Sequence, residues 1–103
     1  MIKVSVFYAS GEGKHFDIAY YSEKHMTMVQ KLCGTALQSM AIEHGVSGMA
    51  PGSAPLFLAM GHLYFDSVDA FHTSFGPHVK EILVDVPNYT NIEPSIQISE
   101  VKL

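Results

Sequence analysis

A chain of 103 residues with ten acidic and six basic side chains has a formal net charge of −4. Its length fits one domain spanning residues 1–103. No run of basic residues occurs, so we expect neither nucleic acid nor an anionic membrane as a partner. Only 16% of the residues are charged while 48% are hydrophobic. That apolar excess predicts a ligand cavity or a subunit interface, and we expect a homo-oligomer.

The histidines and the lone cysteine bear on compartment and metal binding. Cys33 cannot form an intrachain disulfide, which fits a reducing compartment. The chain begins directly with a strand pattern and has no stretch of roughly 18 apolar residues, so we expect a cytoplasmic protein. No two of the six histidines have the spacing of metal ligands on a helix, and we therefore predict no metal and no tightly bound cofactor.

The apolar pattern predicts the elements of secondary structure in a clear order. Alternating β-branched residues mark the first strand, and Asp17 caps a helix that ends at Cys33 before Gly34. A glycine- and proline-rich stretch at residues 45–55 predicts an exposed loop. The predicted strands are residues 2–9, 36–46, 56–66 and 95–101.

A second helical region follows the third strand. Asp66 or Ser67 is its predicted cap, and the pair Gly76-Pro77 divides the region into two helices. The order β-α-β-β-α-β is that of a ferredoxin-like α+β fold, with both helical regions on one face of an antiparallel sheet. The other face must meet solvent, a partner sheet or a ligand.

Strand parity predicts which side chains lie on each face of the sheet. Those expected beneath the helices are Phe57, Ala59, Gly61, Leu63 and Phe65. Those expected on the open face are Leu56, Leu58, Met60, His62, Tyr64, Ser5, Phe7, Gln97 and Ser99. The second set mixes aromatic surface with hydrogen-bonding groups, a combination typical of a ligand pocket.

One histidine lies within the apolar stripe of the first helix. At helical spacing the stripe is Ile18, Tyr21, His25, Met28, Val29 and Leu32. Burying an imidazole without a partner costs roughly 1–3 kcal/mol, so His25 needs a hydrogen-bond acceptor, a ligand or a cavity. Two roles remain open. His25 is either an acid/base group at a pocket between helix and sheet, or a core histidine with an internal hydrogen bond.

Several short motifs follow one another along the chain. They are Phe16-Asp17, Tyr20-Tyr21, His25-Met26, Gly61-His62-Leu63-Tyr64-Phe65-Asp66-Ser67, Phe75-Gly76-Pro77-His78 and Glu93-Pro94-Ser95-Ile96-Gln97-Ile98-Ser99-Glu100-Val101. In these motifs, from end to end, the chain resembles the EthD family. The resemblance implies a dimeric α+β barrel in which two ferredoxin-like subunits pack sheet against sheet. It also implies an oxidoreductase-type or accessory role in the oxidative degradation of ethers such as ethyl tert-butyl ether.

The chain departs from similar sequences after the stripe histidine, where Met26-Thr27 stands in place of Met-Pro. Without that proline we expect a straighter helix through His25.

These patterns and the resemblance lead to one leading hypothesis, a homodimer that binds a small, mainly apolar organic molecule on the open face of the sheet. The predicted catalytic residues are His25, His62, Tyr64 and His78. The predicted ligand-binding residues are Tyr20, Tyr21, Phe7, Met60, Phe71 and Gln97.

Two alternatives remain open. His78 resembles the histidine of plant-type polyketide cyclases with the same barrel, which would make the protein a cofactor-free cyclase or dehydratase. A non-catalytic binding or accessory protein is the other. No Gly-x-Ser-x-Gly elbow occurs, so we expect no serine hydrolase of that type.

Overall fold

Four antiparallel strands form one sheet, and the computed structural model describes all residues from Met1 to Leu103. The strands are β1 (Ile2–Ala9), β2 (Ser39–His44), β3 (Phe57–Phe65) and β4 (Ser95–Glu100). Their order across the sheet is β2-β3-β1-β4, so the first and third strands are central. This is the ferredoxin-like α+β topology that the order of elements predicted.

The helices form two regions, one between β1 and β2 and the other between β3 and β4. The α-helices are α1 (Ile18–Tyr20), α2 (Met26–Cys33), α3 (Val68–Phe75) and α4 (Val79–Asp85). Short 3₁₀ turns occur at Gly34–Ala36, Gly76–His78 and Val86–Asn88. The predicted caps are confirmed, because the Asp17 carboxylate accepts a hydrogen bond from the Tyr20 amide and the Ser67 hydroxyl accepts one from the Ala70 amide.

A five-residue π-helical turn, Tyr21–His25, joins α1 to α2. The amide of Met26 donates to the carbonyl of Tyr21, one residue further back than in an α-helix. The rings of Tyr21 and His25 stack, with centroids 5.6 Å apart and planes inclined by 16°. The widened turn therefore contains His25. Because Thr27 stands in place of a proline, we expected a straighter helix here, and the structure has a π-helical turn instead.

A β-bulge alters the predicted faces at the start of β3. Tyr8 pairs with Ala59 and Ala9 pairs with Phe57, which leaves Leu58 without a partner and shifts the alternation by one residue. The ring of Phe57 consequently lies 5.2 Å from that of Phe7, and Leu58 packs against the core. The predicted faces of Phe57 and Leu58 were wrong for this reason, whereas the alternation from Ala59 to Phe65 is confirmed.

The core lies between the sheet and the helices. It is built from 14 buried apolar residues, of which Tyr21, Val29, Phe65 and Tyr89 are the largest that are fully buried. The opposite side of the sheet, hereafter the open face, carries Ser5, Phe7, Met60, His62, Tyr64, Gln97 and Ser99. The two faces of the sheet therefore offer two different environments for a site.

Candidate functional site

A cavity of about 320 Å³, hereafter the inner pocket, lies between the helices and the sheet. Its walls are mainly aliphatic and aromatic, and no lysine, arginine, aspartate or glutamate lines it. Its polar groups come from two histidines and three tyrosines, which are His25, His72, Tyr8, Tyr21 and Tyr89. An apolar cavity with a few polar groups is the usual form of a site for a small organic ligand.

His25 is 4% exposed and has a defined hydrogen-bond partner on the other helical region. Its Nδ1 lies 2.9 Å from Oδ2 of Asp85, the last residue of α4. A carboxylate can only accept a hydrogen bond, so Nδ1 carries the hydrogen and Nε2 carries the free electron pair. Nε2 lies 3.5 Å from the hydroxyl of Tyr89. Asp85 thus fixes both the tautomer and the orientation of the imidazole.

The Asp85 carboxylate is itself held in place by two further donors. The Tyr20 hydroxyl donates to Oδ1 over 2.7 Å, and the side-chain amide of Asn88 donates to the same oxygen over 2.9 Å. Burial alone would raise the pKa of this carboxyl, but the hydrogen bonds from Tyr20, Asn88 and His25 together hold it below its usual value. Asp85 is therefore an ionised and oriented partner for His25.

The imidazole itself is neutral at neutral pH. Burial lowers the pKa of His25 below its ordinary value of 6.5, and the hydrogen bond and charge of Asp85 offset only part of this effect. A neutral imidazole with a free Nε2 can accept a proton or a hydrogen bond.

Two buried tyrosines continue the polar chain toward the centre of the sheet. The hydroxyls of Tyr89 and Tyr8 lie 2.7 Å apart, and both side chains are almost wholly buried. Burial, more than any other cause, raises the pKa of each hydroxyl. Both tyrosines therefore remain protonated over the physiological range and serve as neutral hydrogen-bond donors.

The open face holds a second hydrogen-bonded histidine. His62 Nδ1 lies 2.9 Å from the hydroxyl of Ser5, and its Nε2 lies 3.0 Å from Oε1 of Glu43. The hydroxyl-imidazole-carboxylate order is that of a hydrolase triad, but Ser5 is only 3% exposed. Ser5 also lies in a central strand paired on both sides, so its neighbouring amides are not free to form an oxyanion hole.

The structure divides the predicted site residues between the two sides of the sheet. Those that line the inner pocket are His25, Tyr21 and Phe71. Those on the open face are His62, Tyr64, Phe7, Met60 and Gln97. Tyr20 acts on His25 through Asp85. His78, half-buried at the end of a 3₁₀ turn, lines neither the inner pocket nor the groove of the open face.

Sequence reasoning missed Asp85, Tyr89 and Tyr8 as parts of the site. Asp85 follows Ile82, the buried residue of α4, by three residues, so this charged side chain lies on the same apolar face of the helix. Tyr89 follows Asp85 by four residues, and Tyr8 lies on the predicted helix-facing side of β1. A charge on an apolar stripe was the available signal, because such a residue needs a buried partner.

No helix has both the length and the apolar character needed to cross a membrane. No three histidine, cysteine, aspartate or glutamate side chains converge where a metal ion could be held.

Comparison with known proteins identifies the family. The EthD domain model matches residues 10–93. An EthD-like protein from Ralstonia eutropha JMP134 is 44% identical, with a TM-score of 0.94 over 99% of this chain and 92% of that one. An ethyl tert-butyl ether D (EthD) family protein from Bacillus halodurans C-125 is 19% identical, with a TM-score of 0.73 over 99% of each chain.

A dimeric ferredoxin-like protein of unknown function from Thermobifida fusca shares the fold at 14% identity, with a TM-score of 0.58 over 97% of this chain and 90% of that one. No curated protein sequence gave a significant match. The family match and the 44% identical structure together show that the chain belongs to the EthD family, as its motifs indicated.

Proposed function

We propose that the protein binds a small, neutral, mainly apolar organic molecule in the inner pocket and transfers a proton to or from it at His25. One observation carries this proposal. A neutral imidazole, oriented by Asp85 so that Nε2 is its acceptor, lines a mainly apolar cavity. The proposal places the ligand on the helix side of the sheet, whereas the sequence pattern predicted it on the open face.

The pocket walls explain why the ligand should be neutral. A carboxylate or phosphate would lose its hydration on entry and find no lysine or arginine among the lining residues. An apolar molecule would instead gain binding free energy by burying its surface against side chains such as Val29, Leu63 and Phe71. Compact ethers, which the family resemblance implied, are neutral and could enter such a pocket, but an ether has no proton that an imidazole can remove.

The hydrogen-bond chain can support proton transfer. In this proposal His25 Nε2 removes a proton from the ligand, and Asp85 stabilises the imidazolium that results. The hydroxyl of Tyr89 lies beside Nε2 and can donate to an oxygen of the ligand that gains negative charge. No group outside the chain is required for this step.

The test measures proton exchange on a simple probe. 2-Tetralone is a neutral, largely apolar ketone whose α-protons exchange with deuterium in heavy water, and the exchange is followed by NMR. We expect the protein to accelerate it, and His25→Gln to reduce the acceleration by about 100-fold. His15→Gln is the control, because His15 is exposed and lies outside the inner pocket.

The outcomes distinguish an enzyme from a non-catalytic binding or accessory protein. Calorimetric binding of 2-tetralone without any accelerated exchange would support a binding or accessory protein and contradict catalysis at His25. Equal acceleration by the wild-type protein and His25→Gln would also exclude His25 as the base. Absence of both binding and exchange would contradict the inner pocket as a ligand site.

We also propose that a second copy of the chain covers the open face. The rings of Phe7 and Phe57 and the side chain of Met60 are half-buried there, and a groove beside them contains Tyr64 and Gln97. Apolar surface of this kind, in a chain with few charges, favours association through that face. Sedimentation should show a dimer for the wild-type protein.

A matched pair of substitutions tests this interface. Met60→Lys places a charge in the proposed contact and should give a monomer, because dimerisation would take the lysine and its cross-strand neighbour Glu43 out of water at a cost that their attraction does not repay. Val84→Lys makes the same kind of change at a 70% exposed position on α4 and should leave the dimer intact. A wild-type monomer at micromolar concentration would contradict the proposal.

A further inference from the structure

We infer that the ligand of the inner pocket carries a hydroxyl group, as an alcohol or phenol does, and donates its hydrogen to Nε2 of His25. The inference rests on the proposed function, since it assigns the chemical class of the same ligand.

The imidazole of His25 has one defined tautomer. Oδ1 of Asp85 accepts from Tyr20 and Asn88, and Oδ2 faces Nδ1 of His25. Neither carboxylate oxygen has a hydrogen to donate, so Nδ1–H is the donor of that pair. Nε2 is left as an acceptor on a residue that lines the inner pocket.

No group of the protein donates a hydrogen bond of ordinary length to Nε2. The nearest protein donor is the hydroxyl of Tyr89 at 3.5 Å, which is beyond the usual range for such a bond. The same hydroxyl lies 2.7 Å from that of Tyr8, a far better distance. A buried imidazole nitrogen without a good donor gains free energy when a ligand supplies one.

The classes of neutral ligand differ in the hydrogen bonds that they can form with His25 and Tyr89. A hydroxyl group can donate to His25 Nε2 whichever tyrosine donates in the Tyr8–Tyr89 bond, and its oxygen can also accept from Tyr89 when Tyr8 is the donor of that bond. An ether or ketone oxygen can only accept, so it leaves Nε2 facing another electron pair. A hydrocarbon makes neither bond. The pocket should therefore discriminate in favour of the hydroxyl compound.

Three probes of similar shape test the predicted order of affinity, in which a hydroxyl compound binds more tightly than an ether or a hydrocarbon. They are 2-naphthol, 2-methoxynaphthalene and naphthalene, titrated into the wild-type protein by calorimetry at neutral pH. We expect 2-naphthol to bind about tenfold more tightly than 2-methoxynaphthalene, the effect of one net hydrogen bond. Equal affinities would overturn the inference while leaving the pocket as a binding site. No binding of any probe would contradict the proposed function as well.

Asp85→Asn tests the cause of the preference. The oxygen of the new amide should stay with the donors Tyr20 and Asn88, so its nitrogen faces His25 and donates to Nδ1. The imidazole hydrogen then moves to Nε2, and the preference for 2-naphthol over its methyl ether should fall at least about tenfold.

The control is Asp69→Asn on α3, an exposed aspartate outside the inner pocket, which should keep the wild-type preference. An unchanged preference in folded Asp85→Asn protein would overturn the inference. The wild-type comparison tests it independently, whether or not this variant folds.

Discussion

The hydroxyl of Tyr21 lies against Gly61 of β3, in the space that a Cβ atom on this glycine would occupy. Tyr21 is 1% exposed, so its ring has little freedom to move away. The same ring stacks on the imidazole of His25. The missing side chain at Gly61 therefore sets how closely the π-helical turn, and with it His25, approaches the sheet.

Gly61→Ala should destabilise the protein by about 1–3 kcal/mol, because the added methyl group overpacks a rigid contact. Urea denaturation measures the change. Tyr21→Phe in the same chain removes the colliding hydroxyl and should recover part of the loss. Gly76→Ala is the control, since a Cβ there meets no atom within 4 Å and should change the stability little. Wild-type stability of Gly61→Ala would contradict the close contact.

The lowered pKa of His25 predicts that acid weakens the fold. The unfolded chain binds this proton at an ordinary pKa of 6.5, above that of the folded state. The stabilisation is thus complete above about pH 6.5 and decreases as the pH falls below it, by at most about 1.4 kcal/mol per pH unit. Asp85, whose folded pKa is also lowered, adds the same trend only below its ordinary value of 3.8.

Urea unfolding at a series of pH values between neutrality and pH 5 should show this slope, and His25→Gln should reduce it. His15→Gln replaces an exposed histidine and should keep the contribution of His25. A slope that is the same in His25→Gln and in the wild-type protein would exclude His25 as its source.

The buried tyrosines predict that the fold also loses stability at alkaline pH. Burial is the main reason that the pKa values of Tyr8, Tyr21 and Tyr89 lie above the ordinary value of 10.0. Their contribution to stability is complete below pH 10 and is lost as the pH rises further, because the unfolded chain releases these protons first.

The ultraviolet absorbance of these three phenolates should therefore rise in a cooperative step that coincides with loss of the fold, measured by circular dichroism. In concentrated urea the tyrosines should titrate smoothly. A smooth titration of the folded protein to completion, before any loss of ellipticity, would contradict the burial of these hydroxyls.

Much of the fold could be predicted because it depends on local periodicity. The first strand, the caps Asp17 and Ser67, and the inward face from Ala59 to Phe65 all follow from alternation or helical spacing. The faces on which Phe57 and Leu58 lie could not be predicted, because a bulge is a backbone irregularity that leaves the sequence pattern unchanged.

The candidate site was only partly predictable for a different reason. His25 stood out as a polar residue on an apolar stripe, and the need for a partner followed from the cost of burial. The identity of that partner, Asp85, is set by the packing of two helical regions 60 residues apart in sequence. The stripe histidine left a pocket between helix and sheet open as one of two roles, but the walls of that pocket depend on the same packing, and strand parity placed the ligand on the open face instead.

Two neighbouring residues of α4 allow the location of the ligand to be tested directly. Leu83 is 51% exposed and lines the inner pocket, whereas Val84 is 70% exposed and does not. Leu83→Trp should extend an indole over the cavity and weaken binding of naphthalene at least about tenfold, because the ligand must displace it. Both positions are exposed enough that Leu83→Trp and Val84→Trp should unfold within about 0.5 kcal/mol of the wild-type protein. Val84→Trp should bind naphthalene normally, and undiminished binding by Leu83→Trp would contradict the inner pocket as the site of the ligand.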